Sequence, residues 1–407
     1  MSVGVCLINR NGIALAADSA GTFSGNKMFY NSMNKVFSLS EKYNYGAITY
    51  GSSSLYNVSI SQLLKEFKFH LDSQDCLDDF FEILQLFNEF IQSKNSYYKF
   101  NIDEQISCNS LIKDLVVQWG NRIKTVLEED KDVEIKINSI LDEFDNEISE
   151  ALVVDKFDVS SYIKTTYASF FDLQLNIVVP ELKKYKAIKD RFWDSICLFF
   201  NLSLKRETDN QIGLFFAGYG KNDAFPKYIH IELYTVIGGK AKYKLIESFD
   251  ESKNSAKIIP LAQNDVILTF CKGISYEFLK YIPQKSSEII CSKIQTLPPS
   301  FSEQQKAFLE THFEDFSNIL SDVINAQVQI RNVDPILNSV QLIPLSEMAS
   351  LAENLVNITS LKRTYAIDGK QQTVGGPTDV AILSKGDGFV WIKRKHYFNK
   401  ELNHDLK

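Results

Sequence analysis

The sequence changes texture twice, and that change constrains the fold more than any other feature. Residues 2–60 and 211–400 read as short apolar strands broken by turn signals, whereas residues 60–205 read as almost continuous helix. Pro180 is the only proline before Pro226, so little in the middle stretch interrupts helical hydrogen bonding. Phe80, Ile83, Leu84, Phe87 and Ile91 recur at helical spacing. Leu111, Leu115 and Val116, then Ile137, Ile140 and Leu141, do the same. Strands, then helices, then strands point to an α+β fold. Two antiparallel sheets held between helix layers satisfy this order.

The first stretch places a strand at Ser2 to Asn9, a hairpin turn at Asn11-Gly12 and a return strand at Ile13 to Ala17. Further strands are expected at Asn34 to Leu39 and Tyr45 to Tyr50, and a helix from Ser53. In the last stretch, Ile212 to Gly218, Lys227 to Tyr234 and Lys240 to Ile246 read as strands, the latter two joined at Gly238-Gly239. Helices are expected around 263–282, 302–328 and 345–361. Strands at Thr378 to Leu383 and Phe389 to Lys393, turning at Lys385-Gly386-Asp387-Gly388, follow them. No repeat or Pro/Ser-rich linker marks a boundary. Texture alone divides the chain into an N-terminal half of the core (1–97), a helical insertion (98–185) and a C-terminal half (186–407). The insertion is expected to act as a cap or assembly element.

Composition removes several function classes. Among 407 residues the net charge is −7, so no basic surface is available to track phosphates, and nucleic acid is not an expected partner. The six cysteines are far apart, with no CxxC pair, and the five histidines are scattered from His70 to His404. That pattern predicts neither a zinc site nor a disulfide framework and fits a reducing, cytoplasmic setting. The apolar residues 3–17 end in Ala14-Leu15-Ala16-Ala17, but no basic residue precedes them and Arg10-Asn11-Gly12 interrupts them, unlike a signal peptide. No apolar run approaches the roughly 20 residues of a membrane span.

Three segments carry a resemblance. Gly12-Ile13-Ala14-Leu15-Ala16-Ala17-Asp18-Ser19, Asn34-Lys35-Val36-Phe37 and Gly46-Ala47-Ile48-Thr49-Tyr50-Gly51 resemble, in order and spacing, the N-terminal half of proteasome β-type subunits of the bacterial type. Those subunits are N-terminal-nucleophile hydrolases. Phe216-Ala217-Gly218-Tyr219-Gly220 and Val374-Gly375-Gly376-Pro377-Thr378-Asp379-Val380 resemble later parts of the same family. The likeness spans about half of the chain and is broken by the helical block. It implies a four-layer αββα sandwich with an inserted helical subdomain, acting in a homo-oligomer on a peptide or small amide substrate, with no metal or organic cofactor.

The resemblance also assigns roles. The family's nucleophile is the first residue of the mature chain, and its spacing falls on Ser2. The Ser2 hydroxyl would attack an amide carbonyl while its own α-amine, with a pKa near 8, takes the proton. A small second residue favours removal of Met1, so no propeptide is required. Lys35 corresponds to the buried base, whose charge lowers the cost of the alkoxide, and Asp18 to the acid that holds it. Gly51 corresponds to the residue whose backbone N–H lines the oxyanion hole. The C-terminal region departs from the family. Val374 stands where a serine is usual, and Gln371 where an aspartate is usual. Asp368, Gln372 and Thr373, or Gln263 and Asn264, are the polar residues that could substitute. These losses open a second expectation, a catalytically weak or inactive scaffold or regulatory subunit.

Overall fold

The computed structural model describes residues 2–23, 28–128, 132–149, 157–202, 211–250, 256–298, 300–313, 316–365 and 374–396. The fold is α+β, and its two large sheets are antiparallel throughout.

The chain opens with β1 (Val3–Asn9) and β2 (Gly12–Ala17). A small ribbon, β3 (Gly21–Phe23) with β4 (Met28–Tyr30), was not foreseen from sequence. Then come β5 (Val36–Ser38) and β6 (Tyr45–Gly51). A second ribbon, β7 (Ser54–Leu55) with β8 (Val58–Ser59), precedes α1 (Ile60–Asp72) and α2 (Ile83–Lys94). The helical block holds α3 (Phe100–Leu127), α4 (Val133–Ser149), α5 (Ser160–Thr166), α6 (Ala168–Val178) and α7 (Lys186–Leu202). Strands return as β9 (Ile212–Gly218), β10 (Lys227–Ile237), β11 (Lys240–Asp250) and β12 (Lys257–Ala262). The helices α8 (Asp265–Lys272), α9 (Tyr276–Gln295), α10 (Glu303–Phe313), α11 (Phe316–Val328), α12 (Asp334–Leu342) and α13 (Leu345–Tyr365) follow. The hairpin of β13 (Asp379–Ser384) and β14 (Gly388–Lys393) completes the described elements.

One sheet has the order β12-β1-β2-β13-β14, the other β11-β10-β9-β6-β5. Alternation along the strands explains why β1 and β2 are apolar on both faces. Cys6, Ile8, Ile13 and Leu15 pack into a core shared with Ile48, Phe215, Ala217 and Tyr228 of the other sheet. Val3, Val5, Leu7, Ala14 and Ala16 point the other way, onto Ile267, Met348, Ala352 and Val356 of α8 and α13. The second sheet does the same. Its residues Ala47, Leu214, Phe216, Ile229 and Ile231 pack under Leu63, Leu64, Phe67, Phe87 and Phe90 of α1 and α2. Pro260 sits in β12, an edge strand, where a missing N–H costs the ladder nothing on its open side.

The helical block has an apolar core built of residues from Cys108 to Phe200, joined by Ile237 of β10. Trp119 stacks on Phe144 at 4.6 Å between ring centroids and Phe171 on Trp193 at 4.5 Å. That core runs past residue 185 and takes in Ile188, Phe192, Ile196 and Phe200 of α7.

Two local expectations need correction. The first hairpin turns at Arg10-Asn11, one residue early, because Asn9 pairs with Gly12 and the Asn9 side chain accepts the Asn11 N–H at 2.8 Å. Gly12 remains essential in the ladder, since a Cβ there would lie 2.2 Å from the Leu383 carbonyl oxygen. No helix begins at Ser53. The chain first forms the β7–β8 ribbon, with Tyr56 at φ +51°, and the Tyr56 hydroxyl donates to the Val236 carbonyl at 2.8 Å. That tether to β10 outweighs the helical spacing of Leu55 and Val58.

The helical block is tied to β10 by one buried carboxylate. Glu104, fully buried on α3, accepts from the Tyr167 hydroxyl and from the Gly238 N–H, each at 2.9 Å. Glu104→Ala should strip the buried Tyr167 hydroxyl and the half-buried Gly238 N–H of their acceptor. The expected loss is about 2–4 kcal/mol of unfolding free energy in urea titration, with faster proteolysis within the helical block. A loss below about 0.5 kcal/mol would show that the tether is dispensable.

Candidate active site

Asp18 follows β2 and is buried with its carboxylate saturated. Oδ1 accepts from the Val3 N–H at 3.0 Å and from Lys35 Nζ at 2.5 Å. Oδ2 accepts from the Ala20 N–H at 3.3 Å and from the Gly375 N–H at 3.1 Å. Asp18 is 1% exposed and Lys35 6%, so their ion pair is almost wholly out of water. Burial pushes the Lys35 ammonium below its ordinary pKa. The charge and hydrogen bond of Asp18 oppose this, and the charge of Lys395 pushes it further down.

Lys35 also joins the two sheets. Its side chain reaches Asp18 at the end of β2. Its backbone carbonyl accepts the Thr49 N–H at 2.9 Å, two residues before Gly51 on β6. Gly51 ends β6 at φ +82°, and a Cβ there would lie 2.3 Å from the Gln211 carbonyl oxygen, so only glycine fits. The next residue, Ser52, donates its N–H to that same carbonyl at 2.9 Å.

Ser2 is buried directly before β1, and its carbonyl accepts the Gln263 N–H at 3.2 Å. It is bonded to Val3, whose N–H lies on the oxygen that binds Lys35. Thus Ser2, Asp18 and Lys35 converge through one carboxylate, and Gly51 is linked to them through Thr49. Met1, Asp368, Gln371, Gln372 and Thr373 lie outside the described residues. Val374 is fully buried and packs in the apolar core with Val3 and Ala349, so its side chain faces away from polar chemistry. Asn264 precedes α8, but its side chain makes no capping hydrogen bond.

Three groups were missed from sequence. Gln263 accepts from Arg363 Nε at 3.0 Å, and Arg363 Nη2 reaches Asp265 at 2.6 Å. A basic residue in the last turn of a helix is ordinary dipole compensation, so nothing marked Arg363. Lys395 grips Asp379 through its ammonium and through its backbone N–H, the latter at 2.8 Å, and Asp379 pairs with Ala17 beside Asp18. The third is Ala262, which takes φ +65°, a conformation rare for residues with a Cβ, immediately before Gln263.

Half-buried Tyr50 on β6 and buried His230 on β10 form a further pair, reaching each other across the intervening strand β9. The Tyr50 hydroxyl and His230 Nε2 lie 2.6 Å apart. Burial pushes His230 down to about 4, against a small opposing pull from Glu247 across the ladder.

Among the described residues no group of three or more His, Cys, Asp and Glu is arranged to hold a metal ion, and all six cysteines are free. No described helix is long and apolar enough to cross a membrane. No protein-family model matches the chain, and neither does any curated protein.

The His230 pair predicts an acid-sensitive fold. Its folded pKa of about 4 lies below the ordinary 6.5, so the unfolded chain binds a proton that the folded chain refuses between those values. The contribution is therefore whole above pH 6.5 and is lost as pH falls toward 4, up to roughly 3 kcal/mol. Urea titrations of wild type and His230→Gln from pH 7 to pH 4 should converge as the pH falls, because the variant lacks this slope. Parallel curves would remove His230 as the cause.

Proposed function

We propose that this chain is an N-terminal-nucleophile hydrolase of the proteasome β-like type, a four-layer αββα sandwich carrying a helical insertion. It cleaves amide bonds of peptides or small amides through Ser2. The observation that carries this reading is the shared Asp18 oxygen, which holds Lys35 Nζ at 2.5 Å and the N–H of the residue after Ser2 at 3.0 Å. The sheet orders, the core between the sheets and the helices on both outer faces support the architecture. The setting proposed is a cytoplasmic homo-oligomer, with no nucleic-acid partner and no cofactor in the reaction.

The chemistry begins once the Met1–Ser2 bond has been cut, which leaves a free α-amine on Ser2. That amine takes the hydroxyl proton as Oγ attacks the substrate carbonyl. Negative charge developing on the carbonyl oxygen is met by the Gly51 N–H. The tetrahedral intermediate collapses to a Ser2 ester, and the leaving amine departs with the proton. Water, deprotonated by the same α-amine, then hydrolyses the ester and restores Ser2. Lys35 supplies a fixed positive charge that stabilises the alkoxide. Its lowered pKa marks an ammonium held at a desolvation cost, where charge acts strongly.

One observation favours a second reading, a catalytically weak or inactive scaffold or regulatory subunit. Val374, in the place of an orienting serine, is committed to the apolar core. Intact mass separates the two readings. Removal of Met1 is expected in the hydrolase, and a protein that retains Met1 yet cleaves peptides would overturn the mechanism.

Substitution of Lys35 tests the assignment further. Folded Lys35→Ala should lose at least ~100-fold in turnover, roughly 3 kcal/mol of transition-state stabilisation. Lys35→Arg should recover more melting temperature than activity, because a planar guanidinium does not occupy an ammonium's position. Near-wild-type turnover in folded Lys35→Ala, with Ser2 exposed, would refute the role.

A further inference from the structure

The helices α9, α10 and α11 form an arm that leaves the molecule after α8 and returns at α12. Among the described residues, none from Lys272 to Pro335 belongs to any of the apolar cores. α9 buries only Leu279, Pro283 and Ile294, and α11 buries nothing. α11 packs against α9, and Leu320 and Ile324 are half-buried. A second stripe on α11 stays in water. Ile319, Val323, Ala326 and Ile330 recur at intervals of four, three and four residues. All four are exposed, the three large ones by 53% to 61%. A π-helical turn at Gln329–Val333 continues α11, and Asn332 Nδ2 donates from it to the Lys272 carbonyl at 2.5 Å. A π turn advances less around the axis per residue, which keeps Ile330 in line with Ile319.

This spacing is that of a coiled-coil seam. With Val323 and Ile330 at a positions, Ile319 and Ala326 fall at d, Asp322 at g and Gln327 at e. β-branched residues at a favour two parallel strands. The charges agree. From Phe316 to Val333 the sequence holds two charged residues, Asp322 and Arg331, of opposite sign. The stretch is therefore neutral in a chain of net charge −7, whose copies repel one another elsewhere. Arg331 leans back one turn, and its Nε donates to Gln327 Oε1 at 3.0 Å, so the guanidinium lies at the e position. A parallel pair sets g of one helix against e of the other. Asp322 of each copy then meets Arg331 of the other, twice over by symmetry. An antiparallel pair sets g against g and e against e, which keeps these charges apart.

We propose that the exposed stripe of α11 binds the same stripe of a second copy of this chain, as a parallel two-helix seam flanked by two Asp322–Arg331 pairs. The arm lies outside the two-sheet core, so the inference does not depend on the Ser2 reading. The seam supplies apolar layers that the arm does not build for itself. It is four layers long, so association depends on protein concentration.

Sedimentation of the full chain over a concentration series tests this. The wild-type mass is expected to double as concentration rises. Val323→Asp should weaken association at least ~10-fold, about 1.4 kcal/mol or more, with the melting temperature unchanged. Arg331→Asp alone, or Asp322→Arg alone, sets like charges across the seam and should weaken association about fivefold. The double exchange should restore it. Ala326→Cys places two thiols in one layer of a parallel pair, so mild oxidation should give a covalent two-chain species. Wild type, whose six cysteines are free, is the background and should give none. A wild type that stays a single chain at every concentration, or an association that Val323→Asp leaves intact, would overturn the proposal. Charge variants without effect, together with no Ala326→Cys cross-link, would overturn the parallel pairing. Peptide hydrolysis plays no part in these readouts, so the two readings stand or fall separately.

Discussion

The carboxylate of Asp18 is the point on which the structure turns. Burying an ionised carboxylate costs several kcal/mol unless its oxygens are matched by donors. Here four donors meet it, from the start of β1, the turn after β2, Lys35 before β5, and Gly375 before β13. These segments are far apart in sequence, so one side chain fixes how four chain entries approach each other. The neighbouring loop bonds follow from the same convergence. The Ser19 N–H donates to the Gly375 carbonyl at 3.2 Å and its hydroxyl to the Pro377 carbonyl at 2.6 Å. Loss of either Asp18 or Lys35 would strand the other charge in a dry site, which is why the proposed catalytic role of Lys35 has to be separated from its structural one by experiment rather than by inspection.

The surroundings of Ser2 show how the segment from Val374 to Asp379 is used physically. Val374 gives its side chain to the apolar core, and Gly375 contributes a backbone N–H to Asp18 instead. Polar groups reach this end of the molecule by other routes: Gln263 is held by Arg363, and Asp379 by Lys395. The strained Ala262 is the last residue of the β12 ladder, paired with Val3, and the next residue, Gln263, gives its N–H to the Ser2 carbonyl. Strain at such a place is maintained by surrounding contacts and fixes the direction in which the chain leaves the strand.

The strand segments were readable because their signals are local. β1, β2, β6 and β9 are unbroken apolar runs bounded by turn residues, and the spacing from Gly12 to Asp18 to Lys35 to Gly51 survives any detail of packing. Other features depend on partners distant in sequence. The Ser53–Ser59 segment has helical spacing, yet Tyr56 is captured by β10, more than a hundred residues away. β12 went unseen because Pro260 speaks against a central strand, and only its place at the sheet edge makes that proline harmless. Arg363 and Lys395 look like ordinary basic residues until folding brings Asp265 and Asp379 to them. The helical texture likewise gave no sign that α7 completes the core of the block rather than the sheet that follows it.

The place of the helical block follows from one pairing. Gly51 is paired with Ile212, and Tyr45 with Gly218. β6 and β9 are therefore neighbouring strands of a hairpin, and everything between them is its loop. Closure entropy grows only logarithmically with loop length, so a very long excursion costs little more than a short one if its residues bury their own surface. This excursion does so twice. First α1 and α2 cover the sheet, and then α3 to α7 enclose a second core that Ile237 of β10 joins. The block is then returned to the sheet by Glu104 on the β10–β11 turn and by Phe100, which packs into the core under α1 and α2. A loop anchored at its two ends and docked again along β10 leaves a gap between dock and anchor. A cleft of about 540 Å³ lined by Ser52, Ser107 and Tyr234 occupies that gap, so its position follows from the hairpin topology rather than from any one residue that lines it.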